Sequence, residues 1–361
     1  MVNRNGDKGA TNPAPIGWKS LPNMYNNIYN QHDESYGVPI NDHQFLVLEG
    51  HGSYLEYYDT STEIWKRLSV DMPHFLRDWS VAFVGDRLLV MGGCDELSNL
   101  RSDVYAMHVP GGDLSAITLG QNWVPLARMR EKRFGVACAS DDRFVYIFGG
   151  KGNDSYECLA TVEQYDTHTD RWTQLPDMPG GGRFGSAAGI VGNRIYVVGG
   201  QDNGVYADSV LRSTIVFDTS RQQWESPNDS ETSVPIIPEM IIKRQNFRVL
   251  TVDRFLIVVG GDTDWNNKGT TIEVLDTEHH VWEIAPTPMP MITWNDSAYA
   301  FTAGVLKQSN KVSIIVAGMN GSTMAFTIPF ETGILPPAFR LNDLFHFMRD
   351  HFANFSLKGN S

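Results

Sequence analysis

The sequence has few cysteines and no excess of positive charge. Three cysteines occur among 361 residues, Cys94, Cys138 and Cys158, and no two of them form a C-x-x-C pair. An odd number of cysteines cannot close a disulfide framework, so a reducing compartment is expected. The formal net charge of −13 opposes the counterion release that drives nucleic-acid binding, and it also repels anionic lipids. Neither nucleic acid nor a membrane is therefore an expected partner.

Long apolar runs and catalytic motifs are also missing. No segment approaches the roughly 18 apolar residues that span a membrane, and the first twenty residues lack a secretory signal, so a cytoplasmic location is expected. The sequence contains no H-E-x-x-H, G-x-S-x-G or Walker motif. His279 and His280 lie in a predicted turn, while His346, Asp350 and His351 share one predicted helix without a second ligand-bearing element. No metal or other cofactor is expected.

Short apolar runs that end in two small residues recur along the chain. Six such pairs are present, and their second residues are separated by 43, 57, 50, 61 and 57 positions. These intervals are close to the ~50-residue period of a propeller blade, so they predict an all-β repeat fold. The pairs are Glu49-Gly50, in which a glutamate replaces the first small residue, and Gly92-Gly93, Gly149-Gly150, Gly199-Gly200, Gly260-Gly261 and Ala317-Gly318.

Four repeats share a second marker, an Asp-Thr pair followed by a tryptophan six residues after the aspartate. An aspartate that opens a tight turn accepts a hydrogen bond from the backbone two residues later, and the tryptophan then falls on the returning strand. The marker therefore predicts a β-hairpin. The four pairs are Asp59 and Trp65, Asp166 and Trp172, Asp218 and Trp224, and Asp276 and Trp282.

Together these motifs resemble the Kelch family of β-propellers, whose blades carry a double glycine, an aromatic or apolar residue before a turn, and an outer-strand tryptophan. The resemblance covers residues 16–330 and implies a radial array of four-stranded antiparallel sheets, with strand a innermost and strand d outermost. Six small-residue pairs match six tryptophans, so the fold is expected to be an all-β, six-bladed Kelch-type propeller. The tryptophans are Trp18, Trp65, Trp123, Trp172, Trp224 and Trp282.

The pairs and the tryptophans are out of phase at the two ends of the chain. Trp18 has no pair before it, and Ala317-Gly318 has no tryptophan after it. We therefore expect Ile16 to Leu21 to form the outer strand of the last blade, whose inner strands come from Ser297 to Pro329. Such closure would remove an unpaired sheet edge.

The segments outside the ring have different expected structures. Residues 1–15 are expected to be a disordered tail, and residues 331–361 a C-terminal extension. Apolar residues with helical spacing after the candidate N-cap Asn342 predict an amphipathic helix over about residues 342–357. Its apolar face either packs on the propeller or docks on another chain as an assembly contact. The apolar residues are Leu341, Leu344, Phe345, Met348, Phe352 and Phe355.

The resemblance also implies a binding face, where the b–c loops and the d–a linkers emerge together at the channel mouth. In related adaptors the contacts come from the residue after the double glycine and from arginines in R-x-G elements entering strand a. An arginine fork pairs bidentately with a carboxylate, which favours an acidic protein or peptide partner. The predicted partner-binding residues are Arg77, Arg133, Phe134, Arg183, Phe184, Arg244, His51, Lys151, Gln201, Asp262 and Trp265.

A structural interpretation competes with this binding role. The arginines could instead tie blades together by pairing with the loop residues Asp95, Asp154, Asp202 or Asp262. Trp265 could be buried against a neighbouring loop. The segment Gly180 to Gly185 formally fits G-x-G-x-x-G, but it precedes a strand rather than a helix, so it is interpreted as a turn.

The leading functional hypothesis is a non-enzymatic scaffold for protein–protein interaction. Fewer residues precede the first blade than a BTB or F-box domain needs, so recruitment of a ubiquitin ligase is not an expectation. One alternative is a small-molecule enzyme of the Kelch-like sugar-isomerising or specifier type; the specifier iron element E-x-x-x-D-x-x-x-H has no match, since Glu273 and Asp276 are one residue too close. Another is a structural subunit docked by its C-terminal helix.

Overall fold

The chain folds almost entirely into antiparallel β-sheets. The computed structural model describes residues 18–25, 35–49, 55–68, 70, 72, 78–95, 97–118, 121–152, 157–203, 209–225, 237–264, 267–268, 271–286, 301–309, 311–318 and 323–329. Within these residues there are six four-stranded sheets, numbered here in chain order, together with two smaller ones. No helix in this part of the chain has the length and apolarity needed to cross a membrane.

In sheets 1 to 5 the four strands follow chain order from one edge of the sheet to the other, while sheet 6 takes its outer strand from the start of the described chain. The first strand, β1 (Trp18–Leu21), belongs to the last sheet. Sheet 1 contains β2 (Ser35–Pro39), β3 (Gln44–Glu49), β4 (Leu55–Asp59) and β5 (Ile64–Leu68). Sheet 2 contains β6 (Ser80–Val84), β7 (Arg87–Met91), β8 (Val104–His108) and β9 (Val124–Pro125), with short 3-10 turns at Pro110–Gly112 and Leu114–Ala116.

The third sheet is accompanied by a small three-stranded sheet. The small sheet contains β10 (Arg133–Phe134), β13 (Lys151–Gly152) and β14 (Glu157–Cys158). Sheet 3 itself contains β11 (Ala137–Ser140), β12 (Phe144–Phe148), β15 (Val162–Asp166) and β16 (Arg171–Leu175). Sheet 4 contains β17 (Ala187–Val191), β18 (Arg194–Val198), β19 (Thr214–Asp218) and β20 (Gln223–Trp224).

The last two sheets complete the series. Sheet 5 contains β21 (Arg248–Val252), β22 (Phe255–Val259), β25 (Ile272–Asp276) and β26 (Val281–Ile284), with the two-stranded ribbon β23 (Asp262–Asp264) and β24 (Asn267–Lys268) beside it. Sheet 6 contains β27 (Phe301–Gln308), β28 (Lys311–Gly318) and β29 (Thr323–Pro329), and β1 is its outer strand.

The first strands of the sheets contact one another in sequence. Strand β6 lies against β2 and β11, β17 lies against β11 and β21, and β27 lies against β21 and β2. These contacts form a closed circuit of inner strands, from which the other strands extend outward. The arrangement fits the predicted β-propeller.

The pairing of the N-terminal strand with the last sheet is confirmed. Trp18 lies opposite Phe326 in the antiparallel pairing of β1 with β29, and their ring centroids are 5.6 Å apart. Both rings pack in the apolar cluster that contains Val316. Residues that begin and end the ring therefore share one sheet.

Alternate residues of each strand pack against different neighbouring sheets, as the two-residue period of a strand requires. In β12, Val145 and Ile147 join the apolar cluster shared with sheet 2. The intervening Tyr146 and Phe148 join the cluster shared with sheet 4. Burying side chains on both faces of each sheet fills the space between neighbouring sheets and supplies the main stabilisation.

The Asp-Thr turns have the predicted hairpin geometry. Asp166 accepts from the backbone N–H of His168 at 2.9 Å, and Trp172 lies opposite Tyr165 on the returning strand. Asp170 within this turn has a φ of 53°. The other three turns repeat the bond, with distances of 2.9 Å at Asp59, 2.8 Å at Asp218 and 3.0 Å at Asp276.

The predicted tail over residues 1–15 and the predicted helix over about residues 342–357 lie outside the described residues. The possible assembly contact through that helix therefore stays a prediction.

Candidate functional site

Three arginines of the predicted site are buried inside their own sheets. Arg133, Arg183 and Arg244 each lie just before the first long strand of a sheet and are at most 4% exposed. Each donates from Nη1 to the carbonyl oxygen of the first glycine of its double-glycine pair. The acceptors are Gly149 at 2.9 Å, Gly199 at 3.2 Å and Gly260 at 2.9 Å.

Two of these arginines also pair with a buried glutamate. Arg133 donates from Nη2 to Glu163 at 2.8 Å, and Arg244 donates to Glu273 at the same distance. Burial lowers the pKa of both guanidinium groups, and the adjacent carboxylates oppose this by raising the pKa. We therefore assign Arg133 and Arg244 a structural role instead of the partner-binding role predicted from the sequence.

The glutamates were not foreseen as the partners of these arginines. They lie on the third strand of the sheet, where Glu163 also accepts from the backbone N–H of Arg130 at 2.8 Å and Glu273 from that of Ile241 at 2.7 Å. Each glutamate thus joins the third strand to the linker that enters the sheet.

Arg77 belongs to a different position from the other three arginines. Asp78 precedes sheet 2 and has a φ of 54°. Gly135, Gly185 and Asn246 hold the same position before sheets 3, 4 and 5, with φ values of 60°, 61° and 55°. Arg77 precedes Asp78, so it corresponds to Phe134, Phe184 and Gln245 and not to the buried arginines. The side chains of Arg77, His51, Asp262 and Trp265 lie outside the described residues.

The positive-φ residues join neighbouring sheets through their backbones. Gly135 donates to the carbonyl of Asp78 at 3.2 Å, Gly185 to that of Gly135 at 3.0 Å, and Asn246 to that of Gly185 at 2.8 Å. A side chain at Gly135 would also collide with the ring of Phe184. This open chain of three bonds, which we call the inner backbone ring, links the entries of sheets 2, 3, 4 and 5 and holds the residues that directly precede its members side by side.

Four of the predicted site residues come together beside this ring. Phe134 and Phe184 are half-buried and meet edge to face, with ring centroids 5.3 Å apart. The Nζ of Lys151 lies 4.5 Å from the centroid of Phe184, and Phe134 pairs with Lys151 in the small sheet. Phe184 forms the matching bridge with Gln201.

Gln245 occupies the equivalent place in the next sheet and was missed by the sequence prediction. It is 7% exposed, and its Oε1 atom has no hydrogen-bond partner among the described residues. The signal that could have found it is its position directly after Arg244, which corresponds to Phe134 after Arg133. Phe134, Lys151, Phe184, Gln201 and Gln245 are called the mouth cluster below.

Two of the described cysteines, Cys138 and Cys158, have thiols whose pKa is raised. Burial raises the pKa of the Cys138 thiol to about 12 and also raises that of Cys158. Such thiols are poor nucleophiles because the reactive thiolate is disfavoured. The mouth cluster offers aromatic faces, one cation and amide groups, which suit non-covalent binding.

Comparison with known proteins places the chain in a family. Residues 79–302, more than half of the chain, match the KLHDC2/KLHL20/DRC7 Kelch-repeats domain. The chain belongs to the Kelch-repeat family. In this Kelch chain the match begins at Trp79, directly after the first member of the inner backbone ring, and ends at Thr302 within sheet 6.

Several proteins with Kelch names are similar to this Kelch chain. An F-box/kelch-repeat protein of Arabidopsis thaliana is 27% identical over 58% of the chain and 49% of its own length. The Kelch-like protein terF of Aspergillus terreus is 24% identical over 77% of the chain and 61% of its own length. Kelch-like protein 34 of Homo sapiens is 30% identical over 46% of the chain and 26% of its own length. The Kelch chain therefore spans less than two thirds of each of these relatives.

The double glycine of the Kelch repeat has a direct role in joining the sheets. The second glycine donates its N–H to the carbonyl of the arginine in the following sheet: Gly93 to Arg133 at 2.9 Å, and Gly150 to Arg183 at 2.7 Å. Gly150 has a φ of 88°, and a Cβ there would lie 2.6 Å from the carbonyl oxygen of Phe134. Only glycine permits both this backbone conformation and this close approach.

Proposed function

We propose that the chain is a non-enzymatic protein-interaction module, a six-bladed propeller whose blades are the six four-stranded sheets. Its partner is a protein or peptide that binds at the mouth cluster. The observation that carries this proposal is the half-buried pair Phe134 and Phe184, held edge to face at the mouth by the inner backbone ring. The Kelch names of the relatives support the same class of function.

The mouth cluster combines the groups that anchor partners at protein interfaces. Aromatic side chains supply a large contact area at low entropic expense, and they are enriched among the residues that dominate binding energy. The unpartnered Oε1 of Gln245 gains a hydrogen bond if a partner's backbone N–H reaches it, which removes the penalty of a buried unsatisfied acceptor. Lys151 adds local positive charge to an acidic chain, so it favours an acidic group at this point of the partner.

Truncating both mouth phenylalanines is expected to abolish capture of the partner. The double variant Phe134→Ala/Phe184→Ala should weaken binding at least about 30-fold, since the loss of one aromatic anchor alone costs about 2 kcal/mol. Affinity capture followed by titration of the identified prey measures the change. Phe144→Ala is the matched control, because Phe144 is also half-buried but begins β12 at the opposite end of sheet 3. Prey retained by the double variant and lost by the control would contradict the proposal.

A further inference from the structure

A cavity of about 410 Å³ lies between the first strands of sheets 5, 6 and 1. Its walls come from β21, β27 and β2, which follow one another in the closed circuit of inner strands. Most of its lining side chains are apolar, so covering the cavity would remove apolar surface from water. The apolar lining residues are Pro39, Ile40, Val249, Leu250, Ala303 and Val305.

The cavity lies at the end of the strands that faces away from the mouth cluster. Its edge contains Asn41 and Asp42 of the β2–β3 turn and Lys307 near the end of β27. Lys307 pairs with Asp253 of the β21–β22 turn at 3.0 Å. The mouth cluster lies before the first strands begin, whereas these edge residues lie where the first strands end. An apolar depression with a polar edge suits an amphipathic helix, whose apolar stripe is flanked by polar residues.

The C-terminal extension begins at this same end of sheet 6. Strand β29 ends at Pro329, which lies opposite Lys311 beside the β27–β28 turn. Residues 330–361 lie outside the described residues and follow directly from this point. The hairpin turns at this end are described except for residues 119–120 and 310, which are too few to cover the cavity.

The N-terminal segment reaches the same end but has a different composition. Because β1 is antiparallel to β29, residues 1–17 precede Trp18 at this end of sheet 6. They are mainly polar, glycine and proline residues, and they lack apolar residues at helical spacing. The predicted helix over about residues 342–357 has an apolar stripe that needs a surface to pack on. The C-terminal extension therefore matches the apolar cavity better than the N-terminal segment does.

The C-terminal extension is also long enough to reach the cavity. Residues 330–341 join Pro329 to the predicted helix, and an extended chain of this length covers about 40 Å. The cavity wall β27 is separated from β29 by β28 alone, a distance of about 10 Å. The connection can therefore bend at Pro336-Pro337 and still place the helix over the cavity.

We propose that the predicted helix of residues 342–357 packs across this cavity with its apolar stripe facing inward. It closes the interior of the circuit of sheets at the end opposite the mouth cluster. The helix is then an internal element of the fold and not a contact with another chain. Because the cavity is separate from the mouth cluster, this docking does not depend on partner binding there.

The labelling rate of an introduced thiol measures whether the cavity is covered. Val305→Cys places the thiol on the cavity wall, at a half-buried position, and mass spectrometry of the full chain follows its reaction with a maleimide. Adding Phe352→Asp puts a charge in the apolar stripe. It should speed labelling at least about tenfold, since one buried aromatic side chain shifts the docking equilibrium by that factor or more. Phe347→Asp changes the same residue type outside the stripe and should leave the rate almost unchanged.

A second thiol distinguishes uncovering of the cavity from general loss of stability. Ile190→Cys lies in β17 of sheet 4, is also half-buried and is not among the residues that line the cavity. Faster labelling of Val305→Cys, but not of Ile190→Cys, with Phe352→Asp at every protein concentration supports the proposal. Equal rates with and without Phe352→Asp, equal acceleration by Phe347→Asp, or acceleration at both thiols would overturn it. Protection that is lost on dilution would also overturn it, because the helix would then pack on a second copy of the chain.

Discussion

Replacing Glu273 with alanine is expected to lower the free energy of unfolding by about 3–5 kcal/mol, the usual effect of removing one partner from a buried ion pair. The Glu273 side chain is fully buried and accepts from Nη2 of Arg244 at 2.8 Å and from the N–H of Ile241 at 2.7 Å. Its loss leaves the buried guanidinium of Arg244 bonded to the oxygens of Gly260 and Thr271 but without a paired negative charge, and the N–H of Ile241 loses its acceptor. The desolvation cost of the buried charge on Arg244 would then no longer be offset by an adjacent anion.

Equilibrium unfolding in urea measures this effect. Glu278→Ala is a suitable control, because Glu278 pairs with Arg254 in the same sheet at 3.2 Å but its side chain is 64% exposed. Exposed pairs contribute about 0–1 kcal/mol, so the control should remain close to the wild type. A Glu273 variant no less stable than the control would show that the buried pair does not stabilise the sheet.

Deleting residues 1–21 is expected to destabilise the whole ring and to cause self-association. The deletion removes β1, which pairs with residues 323–326 of β29 and covers the fully buried Phe326 with Trp18. Loss of a core tryptophan costs about 3–5 kcal/mol, so the partly buried Trp18 is expected to contribute at or below the lower end of this range. The deletion also leaves β29 with an unpaired edge, which can add a strand from another molecule.

Thermal unfolding and light scattering after size-exclusion chromatography measure the two effects of this deletion. A shorter deletion of residues 1–15 leaves β1 in place and should behave as the full chain does. If the longer deletion is as stable and as monomeric as the shorter one, the pairing of β1 with β29 does not hold the last sheet closed.

The framework of the fold could be predicted because it depends on local spacing. The six-residue distance from Asp166 to Trp172 follows from the geometry of one turn, and the structure shows the predicted bond and strand pairing. The pairing of Trp18 with the last sheet followed from counting tryptophans against small-residue pairs. Neither inference needed knowledge of distant contacts.

The roles of the arginines could not be predicted in the same way. An R-x-G element looks alike whether its arginine faces the mouth or the interior, and the deciding partners Glu163 and Glu273 lie about 30 residues further along the chain. The spacing of 16 residues from each buried arginine to its glycine carbonyl would have separated Arg77 from the others.

The inner backbone ring has a consequence for how this surface can diversify. The bonds that join Asp78, Gly135, Gly185 and Asn246 use main-chain atoms alone, so a change in a neighbouring side chain removes none of them. The residues directly before these four already differ in charge, size and polarity: Arg77, Phe134, Phe184 and Gln245. Substitutions at these four positions can therefore change the chemistry of this rim while the backbone bonds that join the sheets stay in place.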